Sequence, residues 1–217
     1  MTDSARLQEY REQSFLNTMP SLRELLSSHG SILVMDAASA RIQVGLVAAE
    51  ETTRWACSNH EAGRGVFECV EALGIDQASI GALVFCAGPG SILGIRTTAM
   101  LVRTWNILHP RSSYSYSSLN LVAHAIKRTD VSIIADARRE SWHCQTLGSP
   151  IKRVASEDLR GELIMPAGFR HWSTLPDNLA MTSYDLAQLL PTIEDADLFS
   201  INESPDAFTH SEPSYKT

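Results

Sequence analysis

The segment GPGSILGIR, residues 88–96, has the residue types of a ligand-binding turn. Glycines allow a tight turn, and the free N–H groups at a helix start attract anions. The spacing matches neither the dinucleotide fingerprint G-x-G-x-x-G nor a G-K-[ST] phosphate loop. The segment therefore predicts either an anion-binding loop or a purely structural turn from strand to helix. The residues concerned are Gly88, Pro89, Gly90, Ser91, Gly94 and Arg96.

Two aspartates each end an apolar run of the sequence. Asp36 closes SILVMD, residues 31–36, and Asp136 closes VSIIAD, residues 131–136. Ligands of open α/β sheets bind at the carboxyl ends of strands, where two carboxylates could hold a metal or orient a nucleophile. Alternatively, each aspartate accepts a hydrogen bond from the backbone of its own following turn. We favour this second interpretation.

Several catalytic and metal-binding patterns are missing from the sequence. The seven histidines form neither HExxH nor HxxxH, and there is no GxSxG nucleophile elbow. The four cysteines form no CxxC pair, which excludes a zinc ribbon and a thioredoxin site. Single buried thiols are typical of proteins in a reducing cytoplasm.

The composition narrows the classes of partner. The formal net charge is −7, and from residue 157 onwards there are three basic and eleven acidic residues. Such an acidic chain is poorly suited to binding nucleic acid unaided, because phosphate contacts dominate that affinity. No apolar run reaches the ~18 residues of a membrane helix, and the N-terminus lacks the apolar region of a secretory signal. We expect a cytoplasmic protein without a membrane segment.

Apolar periodicity predicts the elements that position these residues. Strands are expected at 31–36, 41–48, 52–58, 82–87, 112–117, 131–136 and 140–147, and helices at 60–73, 92–108 and 119–127. An antiparallel meander followed by alternating helices and strands predicts an α/β fold with a mixed sheet and helices on its faces. This is the ribonuclease-H-like layout of the actin and sugar-kinase superfamily.

The pattern divides the chain into four parts. Residues 1–30 predict a helical extension, broken at Pro20 and resumed by a short helix with a Ser21–Glu24 capping box. Residues 31–147 form the ribonuclease-H-like lobe, and 148–202 a reduced, loop-rich second lobe. Residues 203–217 are a polar tail.

Three ordered segments carry a resemblance to a known family. ILVMDAAS, VFCAGPGSILGIR and IADARRESWHCQ resemble the I-D-T-S, G-P-G-S-F-T-G-L-R and D-A-R-x-x-E-V-Y blocks of the TsaB (YeaZ) family. The resemblance covers residues 31–147, and Glu212 to Tyr215 is similar to the closing P-x-Y segment of that family. Ala37 replaces a threonine, and Ile92 and Leu93 replace Phe and Thr. Leu93 removes a hydroxyl group that could have faced an anion.

The resemblance implies a partner role without catalysis or a cofactor. TsaB-like proteins assist TsaD, a catalytic paralogue, in forming threonylcarbamoyladenosine next to the anticodon of tRNAs that read ANN codons. The ATPase TsaE joins the complex, and TsaB-like proteins also form homodimers. The chain would then contact tRNA only indirectly.

The resemblance also implies where the partner binds. In the family, the helix after the third strand opens with H-S-E and packs beside helices of the partner; here it opens with His60 and Glu61. Its apolar residues are either interface or ordinary core: Val66, Phe67, Val70 and Leu73. The N-terminal extension either packs on its own body or covers a partner surface. The alternative function is an ATP-dependent phosphotransferase of the same superfamily, and a homodimeric binding module is a further possibility.

Overall fold

The computed structural model describes residues 19–49 and 52–206. The predicted helix before Pro20 and all but the first residues of the polar tail lie outside the described residues. Helix α1, Leu22–His29, begins at Ser21, whose Oγ accepts a hydrogen bond from the Glu24 N–H while the Glu24 carboxylate accepts from the Ser21 N–H. It ends at Gly30 with φ +71°. The predicted capping box is confirmed.

The strands follow the predicted order as far as residue 145. In chain order they are β1 Ser31–Asp36, β2 Ile42–Ala48, β3 Arg54–Ser58, β4 Ala82–Gly88, β5 Ser112–Ser117, β6 Val131–Asp136, β7 Ser141–Gln145, β8 Lys152–Ala155, β9 Glu162–Pro166, β10 Leu179–Thr182 and β11 Ser200–Ile201. They form two mixed sheets. The first sheet has the order β11-β5-β4-β1-β2-β3, and the second has the order β10-β9-β6-β7-β8.

Four further helices cover the sheets: α2 Ala62–Leu73, α3 Ile92–Leu108, α4 Ser118–Ile126 and α5 Leu186–Leu189. Helices α2 and α3 pack side by side on one face of the first sheet and share a core with β1, β2 and β4. A second, larger core joins the other face of the first sheet to the second sheet through α1, α4 and α5. Trp142 of β7 is fully buried in this second core.

The structure corrects one expectation about the sheets. The sequence predicted one mixed sheet over 31–147, but β6 and β7 pair with β8 and β9 in the second sheet. An apolar run such as VSIIAD reads as a buried strand in any sheet, and its parallel partner β9 lies in the region expected to be loop-rich. That region in fact contributes β8, β9, β10 and β11.

Residues 194–202 return to the start of the described chain. The N–H of Arg23 donates to the Glu194 carbonyl at 3.0 Å, and the N–H of Phe199 donates to the Pro20 carbonyl at 3.1 Å. Strand β11 then pairs with β5, so β5 is flanked on both sides, by β11 and by β4. Residues 194–202 thus contact both α1 and one edge of the first sheet.

Candidate functional site

The segment from Gly88 to Ser91 joins β4 to α3 as predicted. Ser91 is the N-cap residue, and its Oγ accepts from the Gly94 N–H at 3.3 Å. The Ser91 N–H donates to the Ala38 carbonyl at 2.7 Å, and Ser118 Oγ donates to the Pro89 carbonyl at 2.6 Å. Two of the N–H groups that an anion would require are therefore already bound within the protein.

The glycines of this segment allow a close approach to the turn after β1. A Cβ atom on Gly90 would lie 2.5 Å from the Ala38 carbonyl oxygen, and one on Gly94 would lie 1.9 Å from the Ala37 carbonyl oxygen. Both distances are shorter than any van der Waals contact, so a side chain at either position would push α3 away from β1. These contacts support the structural-turn interpretation, and anion binding by the loop itself stays a prediction.

The same segment forms one wall of a cleft of about 230 Å³, here called the loop cleft. The first wall consists of Pro89 to Leu93 and Ile95, and the second of Asp136 to Arg138, His143, Arg170 and Trp172. The cleft thus lies where the ends of β4 and β6 face each other across the two sheets. It brings together the predicted loop and Asp136, but not Asp36 or the exposed Arg96.

Asp136 holds the second wall of the loop cleft together. Its Oδ1 accepts from the Arg138 N–H and from Ser173 Oγ, and its Oδ2 accepts from the N–H groups of Trp172 and Ser173. Partial burial opposes ionisation, but these hydrogen bonds outweigh it and lower the pKa of Asp136. The carboxylate fixes the loop at 172–173 against the turn after β6.

Asp36 is enclosed in the core and does not reach a cleft. Its side chain accepts from the hydroxyl groups of Tyr116 at 2.5 Å and Tyr184 at 2.7 Å, and from the Ala38 N–H at 2.8 Å. Burial raises the pKa of Asp36, and the hydrogen bonds from the two tyrosines only partly offset it. Burial likewise raises the pKa of the neighbouring Cys86 thiol. This buried network ties β1, β5 and the segment before α5 together.

Both aspartates therefore bond the backbone N–H two residues downstream, which is the favoured turn-capping interpretation. Nothing in the residues around them indicates that one is buried and the other lines a cleft. Within residues 19–49 and 52–206, no group of three or more His, Cys, Asp or Glu side chains is arranged to hold a metal ion.

Of the apolar residues predicted to contact a partner, some are buried in the core and some are exposed. Val66 and Leu73 of α2 are 0% and 5% exposed and belong to the core under the helix, so they cannot contact a partner. Val70 is half-buried against the same core, whereas Phe67 is 48% exposed. The prediction was wrong for Val66 and Leu73 because both faces of α2 carry apolar residues, and the sequence does not tell which face meets the sheet.

The polar residues at the start of α2 lie on the surface. His60 Nδ1 lies 2.6 Å from Glu68 Oε2, and Arg64 Nε lies 2.6 Å from Glu68 Oε1. Hydrogen bonds from His60 and Arg64 lower the pKa of Glu68 to about 2. Glu61 occupies the N-cap position without a side-chain capping hydrogen bond.

An exposed apolar row on α3 was missed. Leu93, Met100 and Ile107 are 69%, 57% and 81% exposed, and their seven-residue spacing places them on one face of the helix. The seven-residue spacing is visible in the sequence. However, most of the α3 segment is apolar, so the sequence does not distinguish these exposed residues from core residues. We call Phe67, Leu93, Met100 and Ile107 the outer helix face, since all four project from the layer of α2 and α3 that covers the first sheet.

Many solved structures are similar in fold to this chain, among them two proteins from Pseudomonas aeruginosa. One is an uncharacterized protein described as similar to peptidase YeaZ, with TM-score 0.54 and 18% identity over 67% of this chain and 85% of that one. The other is YeaZ itself, with TM-score 0.55 and 17% identity over 75% of this chain and 88% of that one. No family model matches the chain, and no curated protein matches it by sequence.

The described part of the chain, residues 19–49 and 52–206, has no helix with both the length and the apolar character needed to cross a bilayer. Its two mixed sheets, its helices and the order of its elements are those of an α/β protein. The chain shares its fold with YeaZ.

Proposed function

We propose that this chain is a TsaB-like protein of the actin and sugar-kinase superfamily that serves as the non-catalytic partner of a TsaD-like paralogue. Together they would form threonylcarbamoyladenosine next to the anticodon of tRNAs that read ANN codons. The fold shared with YeaZ and the three ordered sequence segments support the family assignment. The observation that carries the partner role is the outer helix face.

The outer helix face has the chemistry of a protein interface. Large apolar side chains that are more than half exposed, as Leu93, Met100 and Ile107 are, gain free energy when a partner covers them. Burying one such side chain completely contributes about 1.5–3 kcal/mol. Helix α3 presents a row of such side chains and α2 adds Phe67, and a row of this kind fits the grooves of a facing helix pair. A paralogue with the same fold offers such a pair.

The environment of Asp36 supports a non-catalytic role. In the alternative of a phosphotransferase, a strand-end carboxylate would have to reach the substrate, and Asp136, which lines the loop cleft, has both carboxylate oxygens occupied by hydrogen bonds from the second wall. Here the Asp36 carboxyl group is fully buried and engaged with Tyr116, Tyr184 and the turn after β1. We further propose that TsaE binds the heterodimer, that a homodimer uses the same outer helix face, and that the complex works in the cytoplasm and contacts tRNA through its TsaD-like subunit.

The interface is tested by measuring the affinity of the full chain for the TsaD-like protein of the same genome, by isothermal titration calorimetry. Leu93→Glu and Ile107→Glu place charges on the outer helix face, and each should weaken binding at least about tenfold. Met181→Glu is the matched control, since Met181 is 55% exposed on β10. Equal affinities for all three variants would contradict the proposed interface.

The function is tested in a reconstituted modification reaction. The reaction contains the TsaD-like protein, TsaE, the adenylate-forming enzyme, tRNA, threonine, bicarbonate and ATP, with or without this chain. Modified nucleoside should form only when the chain is present, and Ile107→Glu should lower the yield. If the yield is the same without the chain, the partner role is wrong.

A further inference from the structure

After β11, the chain leaves the first sheet and passes along α3. Asn202 still contacts β5, because its N–H donates to the Ser113 carbonyl at 2.8 Å. Ser113 Oγ in turn accepts from Asn106 Nδ2, near the end of α3, at 3.4 Å. Four residues further on, Asp206 Oδ2 lies 3.6 Å from Arg103 Nη2. The chain therefore runs from the end of α3 towards its start.

This route leads to the outer helix face. Pro205 is buried, which fixes the chain against the body of the protein just before Asp206. Arg103 follows Met100 by three residues and precedes Ile107 by four, so these two exposed apolar side chains are its neighbours on the surface of α3. The last described residue thus lies beside the face that carries the proposed interface.

The residues that follow are numerous enough to cover that face. Residues 207–217 have the sequence AFTHSEPSYKT, which includes the aromatic residues Phe208 and Tyr215. An extended segment of this length can span about 36 Å. The part of α3 from Arg103 back to Leu93 measures only about 15 Å. The segment can therefore pass along the whole exposed row.

Phe208 is the residue best placed to make the contact. It follows Asp206 by two residues, so it lies within about 7 Å of the ion-paired aspartate. About one helical turn, 5.4 Å, separates Arg103 from Met100 on one side and from Ile107 on the other. An aromatic ring at this distance can pack on both apolar side chains and remove them from water.

The charges along this side of α3 are complementary to the same segment. Arg96 precedes Arg103 by seven residues, which places both on one side of the helix. Within residues 19–49 and 52–206, the exposed Arg96 has neither an ion pair nor a hydrogen bond. Glu212 follows Asp206 by six residues and can reach Arg96 from an extended chain. Exposed ion pairs contribute little, so these pairs orient the segment rather than hold it.

A tethered segment needs only a weak contact to cover the face. Its connection to Asp206 gives it an effective concentration on the order of 1 mM at α3. A contact with a dissociation constant of about 0.3 mM would therefore keep the face covered in most molecules.

We propose that residues 207–217 lie along α3 and cover the outer helix face of the free chain, with Phe208 packed against Met100 and Ile107. The segment and a protein partner then bind the same surface, so a partner must displace the segment. This regulatory role rests on the proposed function, whereas coverage of the face does not.

Coverage is measured on the full chain without a partner, by the rate at which a maleimide modifies the thiol of Met100→Cys. The exposed Cys57 and the half-buried Cys144 are first replaced by serine, since both could react. Adding Phe208→Ser should raise the labelling rate at least about threefold. Met181→Cys on β10 is the matched control, because Met181 is 55% exposed and Met100 57%, and its rate should not respond to Phe208→Ser.

Labelling at low and at high chain concentration separates the segment from a second copy of the chain. Protection by a second copy grows with concentration, whereas protection within one chain does not. Protection that appears only at high concentration and does not respond to Phe208→Ser would identify a homodimer as the occupant and overturn the proposal. Labelling rates that are the same with and without Phe208→Ser at every concentration would also overturn it.

Regulation is measured by isothermal titration calorimetry with the TsaD-like protein. A chain that lacks residues 207–217 should bind at least about threefold more tightly than the full chain, because the partner no longer competes with the segment. Phe208→Ser in the full chain should give most of the same gain, and it keeps the test valid if the shortened chain misfolds.

The two measurements separate failure of this proposal from failure of the proposed function. Weaker binding by the shortened chain would mean that the segment contacts the partner, and unchanged binding would mean that the two do not compete. Either result overturns the regulatory role. If the TsaD-like protein binds no form of the chain, the proposed function is wrong, and the labelling rates still decide whether the segment covers the outer helix face.

Discussion

Replacing Asp36 with asparagine removes the ionisable group from the core and keeps a side chain of nearly the same size and shape. Burial raises the pKa of Asp36 in the folded protein, so the folded state holds this proton more tightly than the unfolded state, where the pKa is about 3.9. Below the pKa of the unfolded state, the protonated Asp36 side chain therefore increases the free energy of unfolding. This stabilisation is lost, by up to about 1.4 kcal/mol per pH unit, as the pH rises through the pKa of the folded state.

Asparagine retains the acceptor for the Ala38 N–H and cannot ionise. At low pH, the Asp36→Asn variant should thus be within about 1 kcal/mol of the wild type in free energy of unfolding. As the pH rises, the wild type should lose stability relative to the variant. All other titrating groups are common to both proteins, so their contributions cancel in the difference.

The assay is urea denaturation of both proteins between about pH 2 and pH 8, followed by circular dichroism. Asp136→Asn is the matched control with the opposite sign, because the pKa of Asp136 is lowered in the folded state. Its contribution is present above the unfolded pKa of about 3.9 and is lost as the pH falls through the folded pKa. If the wild type instead gains stability over Asp36→Asn as the pH rises, the argument from burial is refuted.

Three further predictions concern local structure and are checked by urea denaturation. Ser21→Ala removes the capping hydrogen bond at the start of α1 and should cost about 1 kcal/mol; an unchanged midpoint would contradict this. Gly94→Ala places a Cβ atom 1.9 Å from a backbone oxygen and should cost about 1–3 kcal/mol. Its control Gly63→Ala, which meets nothing within 4 Å on α2, should be neutral or stabilising by up to about 1 kcal/mol. Arg128→Gln breaks exposed ion pairs with Asp130 and Glu162, and should cost less than about 1 kcal/mol and nothing at about 1 M salt.

Local signals predicted several elements between residues 31 and 136 accurately. The bounds of β1, β5, β6 and α3 agree with the structure, because each combines a clear apolar run or period with a turn or cap at its ends. The capping box at Ser21 and the N-cap at Ser91 are signals of the same kind. They act between residues three apart, so the sequence displays them directly.

Pairings between distant residues were not predictable in the same way. Strands β8 to β11 have two to five residues each, too short to show a period. They form because β5, β6 and β7 pair with β11, β9 and β8, and β9 in turn pairs with β10. Likewise, Asp36 and Asp136 look alike in sequence, and only Tyr116 and Tyr184, far along the chain, make one of them a buried group. The loop cleft depends on Arg138 and Arg170 meeting through a loop whose position no local pattern specifies.

The return of residues 194–202 to α1 and β5 also sets the order in which this fold can be completed during translation. Domains are built from the N-terminus, and an eight-residue helix such as α1 is too short to be stable in water alone. Until Glu194 has been synthesised, α1 lacks the hydrogen bond from the Arg23 N–H to the Glu194 carbonyl, and until Ser200 and Ile201 have been synthesised, β5 presents an open edge. The nascent chain therefore carries an unprotected strand from the completion of Ser117 until Ile201 is added, and a product that stops before Ser200 would expose that edge to other chains.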